Sequence, residues 1–215
     1  MTEATVIRID VWSDYVCPYC YLQLPALKAL QQKHEDSGQP IQIVWRAFEL
    51  RPEPNPTLDP AGEYLRSTWA RSVYPMAEDR GMHLKLPPVQ PRSRAAHEAA
   101  AFAATQGCFD PMHEALFRAF FEEGRDIGRT EVLAEIADSI GLDAHQLTSA
   151  LEEKRFASAV EEDQQLALRL GVSGVPIMTL RPGESRWEEA LALQGAVPYE
   201  HMEAAADALL KQQLA

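Results

Sequence analysis

Two cysteines separated by two residues, Cys17 and Cys20 in VCPYCYLQLPALKAL, stand where one hydrophobic rhythm ends and another begins. Ahead of them Val6-Ile7-Arg8-Ile9-Asp10-Val11-Trp12 reads as a buried strand. Behind them Leu22, Ala26, Leu27 and Leu30 recur at helical spacing, predicting a helix from about Pro18 to His34. Gly38 and Pro40 in EDSGQP punctuate the chain before a second strand, Ile41 to Phe48. Two strands joined through a helix form a unit that is normally parallel and right-handed, so the cysteine pair falls at a strand-to-helix turn.

That position has chemical consequences. A cysteine at a helix N-terminus faces unpaired backbone N–H groups and the positive end of the helix dipole, both of which favour thiolate. Cys17 is therefore expected to be the more acidic and more exposed sulfur and the nucleophile. Cys20, about one turn on, is expected to be the resolving thiol that closes a small disulfide loop. Pro18 suits the first helical turn, where its missing N–H costs nothing. Tyr19, expected to be exposed between the cysteines, would shape substrate access. A zinc site needs about four ligands. The pair supplies half of them, and Cys108 in TQGCFDP stands alone, so His97 and His113 would have to complete it by tertiary accident. No metal is expected, and a chemically idle buried pair fits the turn position poorly. A redox dithiol is the reading retained.

The remaining chain divides by pattern. RPEPNPTLDPAG, with four prolines in residues 51–60, is an exit loop. Residues 59–170 read almost entirely as five or six helices, with Asp59-Pro60 and Asp110-Pro111 as start signals and glycines as stops. LKLPPVQPRSR crosses this block without helical character. GVPIMTL returns to strand, LALQG is a second short strand, and Pro198 to Leu214 is a closing helix. The expectation is an α/β fold in which residues 1–55 and 171–215 build one sheet domain and residues 56–170 form an inserted helical domain.

A formal charge of −12 and the absence of any basic run argue against a nucleic-acid surface. MTEATVIRIDVW lacks a basic region followed by an apolar stretch, and no apolar run approaches the roughly 20 residues of a membrane span. A soluble cytoplasmic protein without a membrane partner is expected.

At this point VIRIDVWSDYVCPYCYLQLPAL, VWRAFELRPEPNP, EALFRAFFEEGRDIG and LGVSGVP together resemble the DsbA-like thioredoxin-fold oxidoreductases, in particular the cytoplasmic FrnE-type branch. The resemblance runs from about residue 5 to 210. It implies a thioredoxin fold with a large α-helical insertion domain, and Cys17 as nucleophile, Cys20 as resolving thiol and Pro176 as a cis-proline facing them. It also implies that the backbone at Val175 pairs with an extended substrate. The chain departs from the family pattern at Tyr15, where proline is usual, and at Arg92, where asparagine is usual. By the same resemblance His97 lies on a helix near the cleft, where it would tune Cys17 or bind substrate; a surface helical histidine is the plainer alternative. Glu49, after the second strand, is the candidate proton relay for Cys20, against a solvated strand-end glutamate. Phe48 and Trp12 are read as core, and Cys108 as a small buried residue at a helix end.

Three functions follow. The first is a thiol–disulfide oxidoreductase acting on protein or small-thiol substrates, with no bound cofactor, glutathione as a candidate co-substrate and a homodimer as a family expectation. The second is a glutathione-dependent isomerase or transferase related to 2-hydroxychromene-2-carboxylate isomerase, whose motif opens with serine where this chain has Cys17. The third is a redox-switched binding or chaperone-like module.

Overall fold

The computed structural model describes residues 6–183 and 185–213. Its sheet has strand order β2-β1-β3-β4, with β1 (Ile7–Ser13) in the interior. β1 runs parallel to β2 (Ile41–Ala47), to which α1 (Pro18–Asp36) connects it. It runs antiparallel to β3 (Ile177–Pro182), which pairs in turn with β4 (Leu191–Gln194). The burial of β1 follows from its neighbours on both sides: Ile7, Ile9 and Val11 feed one face, Trp12 the other.

Every helix from α2 to α8 lies between β2 and β3. α2 (Glu63–Thr68) and α3 (Tyr74–Asp79) are joined by a π-helical turn, Trp69–Val73, so residues 63–79 run as one distorted rod. α4 (Arg94–Thr105), α5 (Phe109–Phe121), α6 (Thr130–Ser139), α7 (Ala144–Glu152) and α8 (Ala157–Arg169) follow. α9 (Tyr199–Gln213) closes the chain. The chain thus carries the mixed α/β thioredoxin architecture with a helical insertion. Among the described residues no helix is long and apolar enough to cross a membrane.

Two helix starts differ from the sequence expectation. Asp59-Pro60 forms a turn instead of a cap: the Gly62 N–H donates to the Asp59 carbonyl at 2.9 Å, and the helix begins at Glu63. α5 begins at Phe109, one residue before Asp110-Pro111, and Cys108 occupies its N-cap. Cys108 is half-buried, not buried, because that end of α5 lies near the surface. The stops at Gly141 (φ +80°) and Gly171 (φ +76°) do fall where a left-handed residue terminates a helix.

Three layers of packing position the site. α1 and α9 cover one sheet face through Leu27, Leu30, Met202, Ala206 and Leu209. The other face holds Trp12 and Phe48 against Ala167 of α8 and Val172, so both aromatics are core as read. The largest cluster joins Tyr15, Cys17, Cys20, Tyr21 and Leu22 to the helical block, including Trp69, Phe117, Phe120 and Phe121. The dithiol is therefore built into the seam between sheet and insertion.

Within the sheet, Asp10 has no exposed surface and receives an arginine from each of three strands. Arg8 approaches at 3.0 Å, Arg46 at 3.0 Å and Arg181 at 3.3 Å. Arg181 is itself buried, with Trp187 stacked at 4.3 Å and the Gly183 and Ser185 carbonyls accepting from its Nη1. Removing the carboxylate charge takes away the anion these three cations share in a low-dielectric setting. Asp10→Asn is expected to cost about 3–5 kcal/mol of unfolding free energy, measured by urea titration.

Candidate active site

β1 ends at Ser13, and the next four residues turn the chain into α1. The Cys17 N–H donates to the Asp14 carbonyl at 3.1 Å, closing the turn. Cys17 is the N-cap, extended at φ −97° and ψ 112°, and Pro18 takes the first helical position. The Cys20 and Tyr21 N–H groups, at 3.1 and 3.4 Å, both reach back to the Cys17 carbonyl. The Cys17 side chain makes no hydrogen bond to the first turn.

Both thiols are free. Cys17 is 4% exposed and Cys20 1%, so Cys17 is the more exposed cysteine by a narrow margin and both are buried. The cover comes from the insertion. Tyr19 is likewise half-buried, not exposed, because its hydroxyl donates to the Ser72 hydroxyl at 2.8 Å in the π-helical turn. Across the cleft, the Cys17 thiol donates to the Val175 carbonyl at 3.4 Å, and the Val175–Pro176 peptide is cis. Residues 17 and 175 meet because β1 and β3 are direct neighbours in the sheet.

Cys20 is buried, and burial pushes its thiol well above the ordinary value. The Cys17 side chain adds to that rise. The Asp14 N–H, 3.5 Å from the Cys20 sulfur, and the Ser13 hydroxyl act the other way without reversing it. Cys20 therefore keeps its proton until a base takes it.

Glu49, the sequence's relay candidate, is buried, with Arg94 on its Oε1 at 2.7 and 2.8 Å and its N–H donating to Gln164. Asp14, whose backbone N–H lies against the Cys20 sulfur, is fully buried, carboxylate included. It accepts from the Leu50 N–H at 2.7 Å and the Val16 N–H at 3.3 Å. His97 is buried, not on the surface, and its Nε2 lies 3.5 Å from the same carboxylate. It reaches Asp14 and not Cys17. The departure at Arg92 also has a structural role: it donates to the Arg51 carbonyl at 3.0 Å and pairs with Glu53 at 3.3 Å, tying the exit loop to the start of α4.

Sequence reasoning passed over Asp14, gave Tyr15 no role of its own and left His113 only as a remote zinc candidate. Tyr15 is buried, its hydroxyl 2.8 Å from His113 Nδ1, its ring packed on His97 and Phe117 at 4.9 and 5.0 Å between centroids. Burial drives the Tyr15 hydroxyl up, with the Asp14 charge adding to it. The one available signal was composition: an aspartate and a tyrosine inside an otherwise apolar turn. Among the described residues no cluster of three or more His, Cys, Asp or Glu side chains is arranged to hold a metal.

Burial also lowers His113 from its ordinary 6.5 to about 3, with His97 and Lys28 adding smaller repulsions. Unfolded, this histidine takes up a proton near pH 6.5; folded, it does not until about pH 3. Its contribution is thus complete above pH 6.5 and erodes as pH falls. By pH 5 it should have cost about 2 kcal/mol of stability. Urea unfolding at stepped pH should show this slope in the parent chain and lose it in His113→Phe; equal slopes would overturn the assignment.

Residues 8–207 match the model of the DSBA-like thioredoxin domain. YwbO of Bacillus subtilis (strain 168), described as uncharacterized, is 30% identical over 197 residues, covering 86% of this chain and 96% of that protein. Two solved structures share the fold. A 2-hydroxychromene-2-carboxylate isomerase aligns with TM-score 0.72 at 19% identity, over 96% of this chain and 98% of that one. The cytosolic disulfide reductase DsbM from Pseudomonas aeruginosa, solved with GSH, aligns with TM-score 0.67 at 20% identity over the same shares. With a strand-to-helix dithiol facing a proline-opened strand and a family match spanning nearly its whole length, this chain belongs to the DSBA-like thioredoxin domain family.

Proposed function

We propose that the chain is a thiol–disulfide oxidoreductase of the cytoplasmic FrnE-type branch, acting through Cys17 and Cys20 on protein or small-thiol substrates. The observation that carries the reading is the Cys17 thiol set 3.4 Å from the Val175 carbonyl at the helix N-terminus, with Cys20 one turn behind it. In the reducing direction the Cys17 thiolate attacks one sulfur of a substrate disulfide, and the other sulfur leaves as thiolate and takes up a proton. Cys20, on losing its proton, attacks Cys17 and releases the second substrate thiol, leaving a Cys17–Cys20 disulfide. Two electrons pass to the substrate. The same steps in reverse oxidise a dithiol.

Val175, Pro18 and Tyr19 border the attacking sulfur and form the substrate-contact set in this reading. His97 acts one layer back, through Asp14. Likeness to a reductase solved with GSH supports glutathione as the small-thiol co-substrate. Cys17→Ser should reduce exchange with a peptide disulfide to the uncatalysed background. Cys20→Ser should accumulate a mixed disulfide on Cys17, read by intact-mass spectrometry. Activity on an organic substrate with glutathione that survives Cys20→Ser would instead establish the isomerase or transferase reading.

Asp14 is the base in this scheme, because its backbone contacts Cys20 and its carboxylate is the buried one of that turn. Asp14→Asn should form the mixed disulfide at the parent rate but resolve it about 10²-fold more slowly at pH 7, with resolution recovering as pH rises. Quenched-flow mass spectrometry of a single turnover separates the two steps, and parent-like resolution in the variant would remove Asp14 from the mechanism.

A further inference from the structure

A cavity of about 600 Å³ lies along the outer edge of β2, between that strand and helices α4, α5 and α8. A second lobe of about 220 Å³ shares Ile43, Trp45 and His113 with it. Neither Cys17, Cys20 nor Pro176 lines either space; Ser13, Tyr15 and His97 from behind the dithiol form part of the larger one's wall. Its size is that of a small-molecule site, which usually occupies about 300–1,000 Å³.

The strand edge supplies the recognition chemistry. The Phe48 N–H donates to the Ser13 carbonyl at 3.1 Å, so the even-numbered backbone groups of β2 face β1. The Ala47 N–H faces the opposite way and donates to Asp163 at 3.0 Å. By strand alternation, the N–H and C=O groups of Ile43 and Trp45 also point outward, along the cavity, about 6.6 Å apart. Among the described residues nothing pairs with them, since β2 has β1 as its sole strand neighbour.

The walls add a further constraint. Ala100, Ala101 and Ala104 of α4 leave the space open, and the rings of Trp45, Phe109 and Phe156 give it flat apolar surfaces. His113 Nε2 is buried without a partner. The other ring nitrogen, Nδ1, shares a hydrogen bond with the Tyr15 hydroxyl at 2.8 Å, which leaves Nε2 as the polar atom available to a ligand. Charge excludes an anion: Arg46 is neutralised by Asp10 and Asp163, and Asp110 adds a carboxylate at the rim.

We propose that this cavity binds a neutral, planar nitrogen heterocycle whose ring edge carries an amide-like donor and acceptor, the pattern of pyrimidinedione and fused flavin-type rings. The ring lies between the alanine face of α4 and the aromatic walls, and its edge pairs with the backbone of Ile43 and Trp45. The proposal does not depend on the redox reading, since it uses none of the dithiol residues.

The test is fluorescence polarisation of lumichrome, a neutral tricyclic ring with a dione edge, titrated with the full chain, with naphthalene as an edge-less competitor. Saturable binding is expected, weakened at least tenfold by Ala104→Trp or Ala159→Trp, which fill the cavity from its exposed rim on opposite helices. Naphthalene should displace the probe at least tenfold less effectively than unlabelled alloxazine. Absence of saturable binding up to the solubility limit would overturn the proposal. So would unchanged affinity in both folded variants, or equal displacement by naphthalene.

Discussion

Asp10 is a carboxylate with no exposed surface, and three strands converge on it through Arg8, Arg46 and Arg181. A buried charge is tolerated only when compensated, and here the compensation works only in one register. A one-residue slip of β2 or β3 would turn its arginine to the opposite face of the sheet. The network therefore acts as a lock on alignment as much as a source of stability. Arg46 extends it to Asp163 of α8, and the Ala47 N–H uses the same carboxylate. The last helix of the insertion is thus fixed to the edge strand by the same charges that align the sheet.

Alignment of β1 against β3 is what brings positions 17 and 175 together. Trp12 pairs with Ile177, so the residues just beyond that pair on either strand meet at the sheet's end. The strand register sets the two strand ends side by side, and the hydrogen-bonded turn after Ser13 carries Cys17 to the helix end there. The insertion then seals the seam: Tyr19 is pinned to Ser72, and the Tyr21 hydroxyl donates to Glu122 at 2.6 Å. Arg80, at the end of α3, donates to the carbonyls of Leu22, Ala196 and Val197, joining three separate parts of the chain. Cys17, at the end of that seam, is left 4% exposed.

What could be read in the sequence was whatever depends on local periodicity. The strand–helix–strand start, the helical block, the returning strands and the position of the cysteines all rest on spacings of two or 3.6 residues and on proline and glycine chemistry. The errors share a different cause. Tyr19 looks exposed until the π-helical turn of the insertion meets its hydroxyl through Ser72, 53 residues away. Glu49 looks like a solvated strand-end carboxylate or a relay until Arg94, 45 residues later, arrives as its ion-pair partner. Asp14 and Tyr15 gain meaning only from His97 and His113, which arrive on two different helices. No window of one sequence carries those pairings.

The insertion also explains why the edge of β2 is not a liability. An open strand edge invites pairing with another chain, and proteins usually cover or charge it. Here α8 covers one end through Asp163, while α4 and α5 stand off from the middle because alanines, not larger side chains, face it. Leucines at Ala100 or Ala101 would have closed that gap and brought apolar contact worth about 1–2 kcal/mol each. A chain that retains unpaired backbone groups beside a space walled by aromatic rings has forgone that stabilisation at the point where a ligand's ring edge could restore the missing hydrogen bonds. The helical block thus does two separate jobs on two sides of one sheet: it buries the dithiol at the end of β1, and it leaves a furnished space along the flank of β2.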